Sequence, residues 1–252
     1  MVRFSALLLC AVLAWGQRPV DADSAALIER SRQKALDYTN SLPDFICSEE
    51  IHRYTAPAEG VWTLSDTLTV KLGYSRQMEM HKLELIDGKP TDRSFDDLGG
   101  ATSSGEFGGV LRTIFDPASK TAFDWSSSRA VRNRRAAVYH YTVAAANSPY
   151  YVEHKKQVGI VGLHGTVTVD HESGEVIALN YIAYDIPKQL ELQSLIGSVE
   201  YDLATVGGGT RLLPARSEME MHASELWTRN KTEFRDYRKF SADSSIEFGP
   251  VK

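Results

Sequence analysis

The chain has 252 residues, 42% of them hydrophobic and 24% charged, with a formal net charge of −5. This composition excludes disordered and fibrous classes, and folding at this length hides roughly 70 to 75% of the unfolded surface, so the core needs no metal or disulfide staple. The acidic balance also speaks against nucleic acid, whose binding draws on clustered Lys and Arg.

Arg3 opens the chain with a short positive region, Phe4 to Trp15 form an apolar run, and Ala14 and Gly16 are small residues at the −3 and −1 positions of a cut before Gln17. These are the marks of a secretory signal peptide over residues 1–16, and the run is too short for a membrane span, which needs ~20 apolar residues. Leu7-Leu-Leu-Cys10 departs from the lipoprotein rule, because Leu9 stands where a small residue is wanted. The mature chain, residues 17–252, is expected to be one β-rich domain without a transmembrane segment, exported to the periplasm or outside the cell and monomeric. Loss of Cys10 leaves Cys47 alone, so no internal disulfide forms. Phe45, Cys47 and Glu49 share one strand face, and a buried structural thiol is the reading favoured over a reactive one.

Leu27, Ile28, Ala35, Tyr38 and Leu42 recur at helical spacing over residues 22–42, and Leu42-Pro43 ends that helix. Strands are expected at 45–55, 61–73 and 76–86, with a turn at Asp87-Gly-Lys-Pro90. Residues 96–105 are loop-like. A short helix is expected within 106–115, where Val110, Leu111, Ile114 and Phe115 are apolar and Asp116-Pro117 stops it. Strands resume at 121–128, 136–145, 150–158, 163–170, 175–184, 198–206, 211–222 and 226–240, and Ser245 to Phe248 add a last short one. The plainest is Gly165-Thr-Val-Thr-Val-Asp170, joined by His171-Glu-Ser-Gly174 to the run that ends at Tyr184, where alternation marks a strand with one buried face. Pro214 marks a bulge or an edge, and Gly207-Gly-Gly209 a hairpin turn.

About eleven strands at short intervals predict a long antiparallel meander, and a sheet of that width curls into a whole or partial barrel. The expected fold class is mainly β: an incomplete antiparallel barrel, or half-barrel, with an N-terminal helix and a short helical insertion.

Motifs for chemistry are sparse. The sequence holds no His-Glu-x-x-His, Gly-x-Ser-x-Gly or Gly-x-x-x-x-Gly-Lys, and its seven His residues lack short metal-ligand spacing. His140 and His154, with Glu153 near, are placed to meet only if their strands are neighbours. Asp170 with Glu172 and Asp96 with Asp97 read as solvated turn acids. Arg129 to Arg135, with four arginines around Asn133, reads as a solvated hairpin tip, with lipid phosphate or an acidic partner as the sharper alternative. No catalytic residue, metal or cofactor is expected.

An exported chain with an N-terminal helix, about eleven antiparallel strands and a helical insertion midway resembles the periplasmic lipoprotein-carrier (LolA/LolB-like) family. Ser41-Leu-Pro-Asp-Phe-Ile-Cys47, Gly105-Glu-Phe-Gly-Gly-Val-Leu111, Gly165-Thr-Val-Thr-Val-Asp170 with Ser173-Gly174, and Leu213-Pro-Ala-Arg-Ser217 are also similar to segments of secreted proteins of acidobacteria. The first resemblance implies a concave, apolar-lined face that holds acyl chains under covering helices, and hence a non-catalytic binding protein for a lipid or lipoprotein. The alternative it implies is an envelope-stress sensor or interaction module with an envelope protein as partner; a hydrolase ranks third. No residue carries over by motif. Alternation alone nominates the ligand-facing candidates: Trp62, Leu64, Met78, Met80, Val167, Val169, Val199, Tyr201, Leu203, Met219 and Met221, with a filled core as the competing reading.

Overall fold

The structure is a computed structural model that describes residues 22–98 and 105–240. The segment expected to be a signal peptide and the strand expected at Ser245 to Phe248 lie outside these residues.

The N-terminal helix, α1, runs Ala22–Ser41, and the insertion helix, α2, is Gly109–Phe115. The strands are β1 Phe45–Ala56, β2 Thr63–Ser75, β3 Met78–Ile86, β4 Lys89–Pro90, β5 Ala122–Val131, β6 Arg134–Val143, β7 Tyr151–His154, β8 Gln157–Ile160, β9 Gly162–Asp170, β10 Val176–Tyr184, β11 Leu192–Val206, β12 Gly209–Ala223 and β13 Leu226–Lys239. Eleven of them form one sheet in the order β4-β3-β2-β1-β13-β12-β11-β10-β9-β6-β5, and every pairing is antiparallel. Strands β4 and β5 are the two edges and, among the described residues, do not pair with each other, so the sheet is an open half-barrel.

Two features depart from a simple meander. First, β1 pairs with the last strand, from Phe45↔Lys239 to Ala56↔Trp227, which welds the N-terminal hairpins to the C-terminal ones. Second, residues 150–158 do not form one strand of the sheet. Lys155 and Lys156 take left-handed conformations (φ 50° and 65°) and fold the segment into the separate β7–β8 hairpin, leaving β6 to pair directly with β9.

Both helices lie on the concave face. Leu27 and Ala35 of α1 and Val110, Leu111, Ile114 and Phe115 of α2 pack on the inward side chains of β6, β9, β10 and β11, among them Tyr139, Tyr141, Val167, Val169, Leu179 and Val199. The helix reading of 22–42 holds because this apolar stripe has a sheet to cover. Arg30 ties α1 to the β9–β10 turn by donating to the His171 carbonyl (2.9 Å), and Tyr139 donates to the Ser24 carbonyl (2.8 Å). Pro214 lies where expected, beside a bulge: Tyr201 faces it across β11–β12, the next pair is Glu200↔Arg216, and β13 begins to pair only at Arg216. Its missing N–H therefore interrupts no ladder on that side.

Asp170 is not a solvated turn acid. It is buried, accepts from the backbone N–H groups of Glu172 (3.1 Å) and Ser173 (2.7 Å), and pairs with Arg134 (2.9 Å). The arginines at the β5–β6 tip are similarly engaged, Arg129 with Thr168 (2.8 Å) and Arg132 with Asp202 (2.8 Å) and the Tyr201 carbonyl (3.1 Å).

The concave face also depends on bare backbone where a ring or the neighbouring strand comes close. A Cβ on Gly197 would lie 2.1 Å from Cζ of Tyr181, and one on Gly165 would lie 2.2 Å from the Asn180 carbonyl oxygen. We therefore expect Gly197→Ala and Gly165→Ala each to destabilise the fold by about 1–3 kcal/mol, the usual range for overpacking. Urea unfolding of both variants checks this, and unchanged midpoints would refute it.

Candidate functional site

The concave face is the candidate site, and its lining is not uniformly apolar. Besides the large cluster beneath α1 and α2 there are two smaller ones, and Tyr38 packs against both the large cluster and the aromatic one. One is aromatic, built from Phe45, Cys47, Leu72, Tyr74, Phe107, Val206, Leu213 and Phe234; the other is small, with Ile51, Leu68, Val70 and Leu83. Polar side chains share this face. Register with Phe234, Val70 and Ile51 puts Glu49, Thr232 and Asn230 inward, and all three are buried. Arg53 and Asp66 form a two-pronged ion pair there (2.7 and 2.5 Å), the guanidinium donating.

Alternation along β3 runs opposite to expectation. Leu72 pairs with His81 and Tyr74 with Glu79, so the odd positions Glu79, His81 and Leu83 face inward, and Met78 and Met80 face out. Leu83 sets this phase, because it is the residue of β3 buried in the small cluster. Met78 is 60% exposed. Leu64 is turned outward by the register shift between Arg53 and Tyr54, opposite Ser65, and is half exposed. Trp62 precedes β2 and lies under the Arg229 guanidinium, 3.9 Å from its ring centre. On β11 the buried positions change phase after Tyr201: Ala204 and Val206 pack on the aromatic cluster, and Leu203 is exposed. Of the eleven nominated residues, Val167, Val169, Val199, Tyr201, Met219 and Met221 therefore line the concave side, whereas Trp62, Leu64, Met78, Met80 and Leu203 do not.

Sequence reasoning placed Glu49 on the face of Phe45 and Cys47 but missed the inward Glu79 and His81 and the part played by Glu106. The segment before α2 brings them together. Gly105 donates its backbone N–H to both carboxylate oxygens of Glu79 (3.2 Å each), and the Tyr201 hydroxyl donates to the Glu106 carbonyl (3.3 Å). Ser217 donates to the Glu106 carboxylate at 3.5 Å, and His81 Nε2 lies 3.7 Å from Glu49. Burial and the facing Glu106 carboxylate push Glu79 up to about 7, against the pull of the Gly105 N–H and of His81. Burial pulls His81 down, but its hydrogen bond to Glu49 and the surrounding carboxylates leave it raised overall. The hydroxyl of Tyr38, from α1, is buried nearby and finds no hydrogen-bond partner among the described residues, and burial raises its pKa far above the usual value.

Phe107 caps this cluster. Its ring stands 5.2 Å from Phe45, 5.4 Å from Phe234, 6.0 Å from Tyr74 and 6.3 Å from Tyr237, centre to centre, mostly tilted or edge-on. Cys47 lies in the same cluster, buried and with its thiol pushed far up by burial and the Glu49 charge, which fits a structural role.

The histidine pairing considered from the sequence does not occur. His140 is exposed on β6 opposite Thr166 of β9, and His154 belongs to the separate hairpin, where its Nδ1 bonds the Leu190 carbonyl (2.6 Å). Among the described residues no group of three or more His, Cys, Asp or Glu converges as metal ligands would, and no helix is long and apolar enough to cross a membrane.

Phe107→Ala should cost about 3–5 kcal/mol, as emptying a filled aromatic site does. Denaturant titration measures it, and a loss under 1 kcal/mol would show that the cap is loosely seated. Cys47 should react with a water-soluble disulfide reagent only after unfolding; fast labelling of the native protein would contradict its burial.

No family model matches the chain, and no curated protein matches it. Among solved structures it is similar to a LolA superfamily protein from Nitrosomonas europaea, at 12% identity over 86% of this chain and 93% of that one, with a TM-score of 0.38. It is similar to a putative outer membrane lipoprotein-sorting protein domain from Vibrio parahaemolyticus, at 10% identity over 87% and 93% of the two chains and a TM-score of 0.39. A chain of the MucA/MucB complex of Pseudomonas aeruginosa is matched over its whole length (100%) by 85% of this one, at 11% identity and a TM-score of 0.25.

Proposed function

We propose that the protein is an exported, non-catalytic binding protein for an amphipathic ligand, such as a lipid or the acyl chain of a lipoprotein, held on the concave face. The observation that carries this reading is the division of that face. A folded domain usually has one main apolar core with smaller satellite clusters, so what distinguishes this face is the polar band that runs between them. Here three apolar clusters are separated by Glu49, Ser217, Asn230, Thr232 and the Arg53–Asp66 pair, a lining suited to a molecule with both an apolar tail and a polar head. Val167, Val169, Val199, Tyr201, Met219 and Met221 are the proposed apolar contacts. Met221 is only partly buried and, being unbranched and polarizable, suits a flexible chain.

A second reading is contact with an envelope protein. It is favoured by the β7–β8 hairpin, whose outward face places Tyr151 opposite Ile160 and adds Val158, each more than half exposed. Patches of this kind mark interaction surfaces more often than isolated apolar residues do.

Native mass spectrometry of protein purified from an envelope fraction distinguishes the two. Co-purifying lipid or lipopeptide, or a mass shift on adding one, is expected for the first reading, and Met221→Glu should weaken that binding at least tenfold without unfolding the protein. Recovery without any lipid, and no shift on addition, would overturn it. A Tyr151→Ser/Ile160→Ser variant that keeps lipid binding but loses an envelope partner would support the second.

A further inference from the structure

We propose that β5 is a pairing edge for a second copy of this chain: two β5 strands meet antiparallel about a two-fold axis at Ser127 and join two half-barrels into one continuous sheet.

The two edges of the sheet are built differently. At one end β4 has only two residues, Lys89–Pro90, and Pro90 has no N–H to offer a further strand. Beside it, Thr91 donates to the Glu84 carbonyl (3.2 Å) and Leu98 packs against the Leu83 cluster, so this edge is blunted. At the other end β5 runs from Ala122 to Val131 and carries neither Pro nor Lys. Residues 124–130 are all exposed, Trp125 to 40%, and among the described residues no strand pairs with the outer side of β5. A long edge of this kind presents unpaired N–H and C=O groups as a template for another strand. The strand is firmly held from within, paired along its length with β6 and with Phe123 stacked on Phe115 at 5.3 Å.

The faces of β5 identify the partner. Phe123 and Trp125 pair with Tyr141 and Tyr139, so both face the concave side, and Asp124, opposite His140, faces out. Between Trp125 and Ser127 a bulge adds one residue. In a regular strand Asp124 and Arg129 would point to opposite faces. The extra residue brings both to the convex face, with Arg129 opposite Ala136 and donating to Thr168 (2.8 Å).

An axis at Ser127 then sets Asp124 opposite Arg129 of the second copy, Trp125 opposite Ser128, Phe123 opposite Ala130 and Ala122 opposite Val131. The members of each pair share a face. Asp124 and Arg129 are the only charged residues of the strand, so each charge meets its opposite, and the two-fold symmetry makes that pair twice. The Asp124 carboxylate has no hydrogen bond or ion pair among the described residues, and it is a stronger acceptor for Arg129 than the Thr168 hydroxyl. The same rotation keeps both concave faces on one side of the joined sheet. The sequence pattern led to the expectation of a monomer because a free edge belongs to the order of strands in the sheet, which that pattern does not contain.

Sedimentation equilibrium of the mature chain, residues 17–252, over a wide range of concentration tests this. We expect a monomer–dimer equilibrium. Asp124→Arg and Arg129→Asp should each weaken the dimer about tenfold or more by setting like charges opposite each other, and the double exchange should restore it to within about threefold. Because the axis fixes the register, Ser127→Cys should cross-link to itself under mild oxidation, whereas Asp124→Cys, about 14 Å from its own copy, should not. A protein that stays monomeric throughout, or a dimer that both charge reversals leave intact, would overturn the proposal.

Discussion

The pairing of β1 with β13 is the constraint on which the rest of the molecule depends. It joins strands far apart in the chain, closing the stretch from Ala56 to Trp227 as one long loop, and without it the sheet would be two separate meanders. Such long-range pairing is slow to form and yields its stabilisation only when complete. Once made, it produces a twisted sheet of eleven strands, too wide to stay flat, whose concave side needs a cover. Helix α1 and the segment from Gly105 through α2 provide that cover.

The same pairing accounts for the mixed character of the interior. Strands β1, β12 and β13 meet at the middle of the half-barrel, and their register turns Glu49, Ser217, Asn230 and Thr232 toward the concave side. Burying such groups is costly unless they are bonded, and the fold answers with local partners. Glu79 takes the Gly105 N–H, Glu49 takes His81, and Asp66 takes Arg53. Apolar packing lies on both sides of this polar band, and hydrogen bonds from β3, β11 and β12 tie the sheet to the covering segment.

Much of the fold was legible in the sequence. Helix α1, the insertion helix and nearly every strand of the large sheet can be read from apolar spacing and from turn residues such as Asp116-Pro117 and Gly207-Gly-Gly209. The Gly165 to Tyr184 hairpin falls within a residue of its expected bounds. Reading failed where local pattern and pairing disagree. The apolar Met78 and Met80 suggested an inward face for β3, but Leu83 is the side chain that the neighbouring core captures, so the polar positions turn in. A bulge reversed Leu64, and a change of phase exposed Leu203. Bulges of one residue leave no reliable mark in a single sequence, yet each flips every side chain beyond it.

By itself the sequence determined the class of the protein, its mostly antiparallel strands and helical insertion, and the residues available for a core, because these follow from local periodicity and backbone preference. Only the tertiary structure decided that the N- and C-terminal strands are neighbours, that 150–158 folds into a hairpin of its own, and that Glu49, Glu79, His81 and Glu106 gather beneath Phe107. Those outcomes depend on register between strands far apart in the chain. Register is set by which large side chains find partners across the sheet, a property of pairs of strands that no single strand contains.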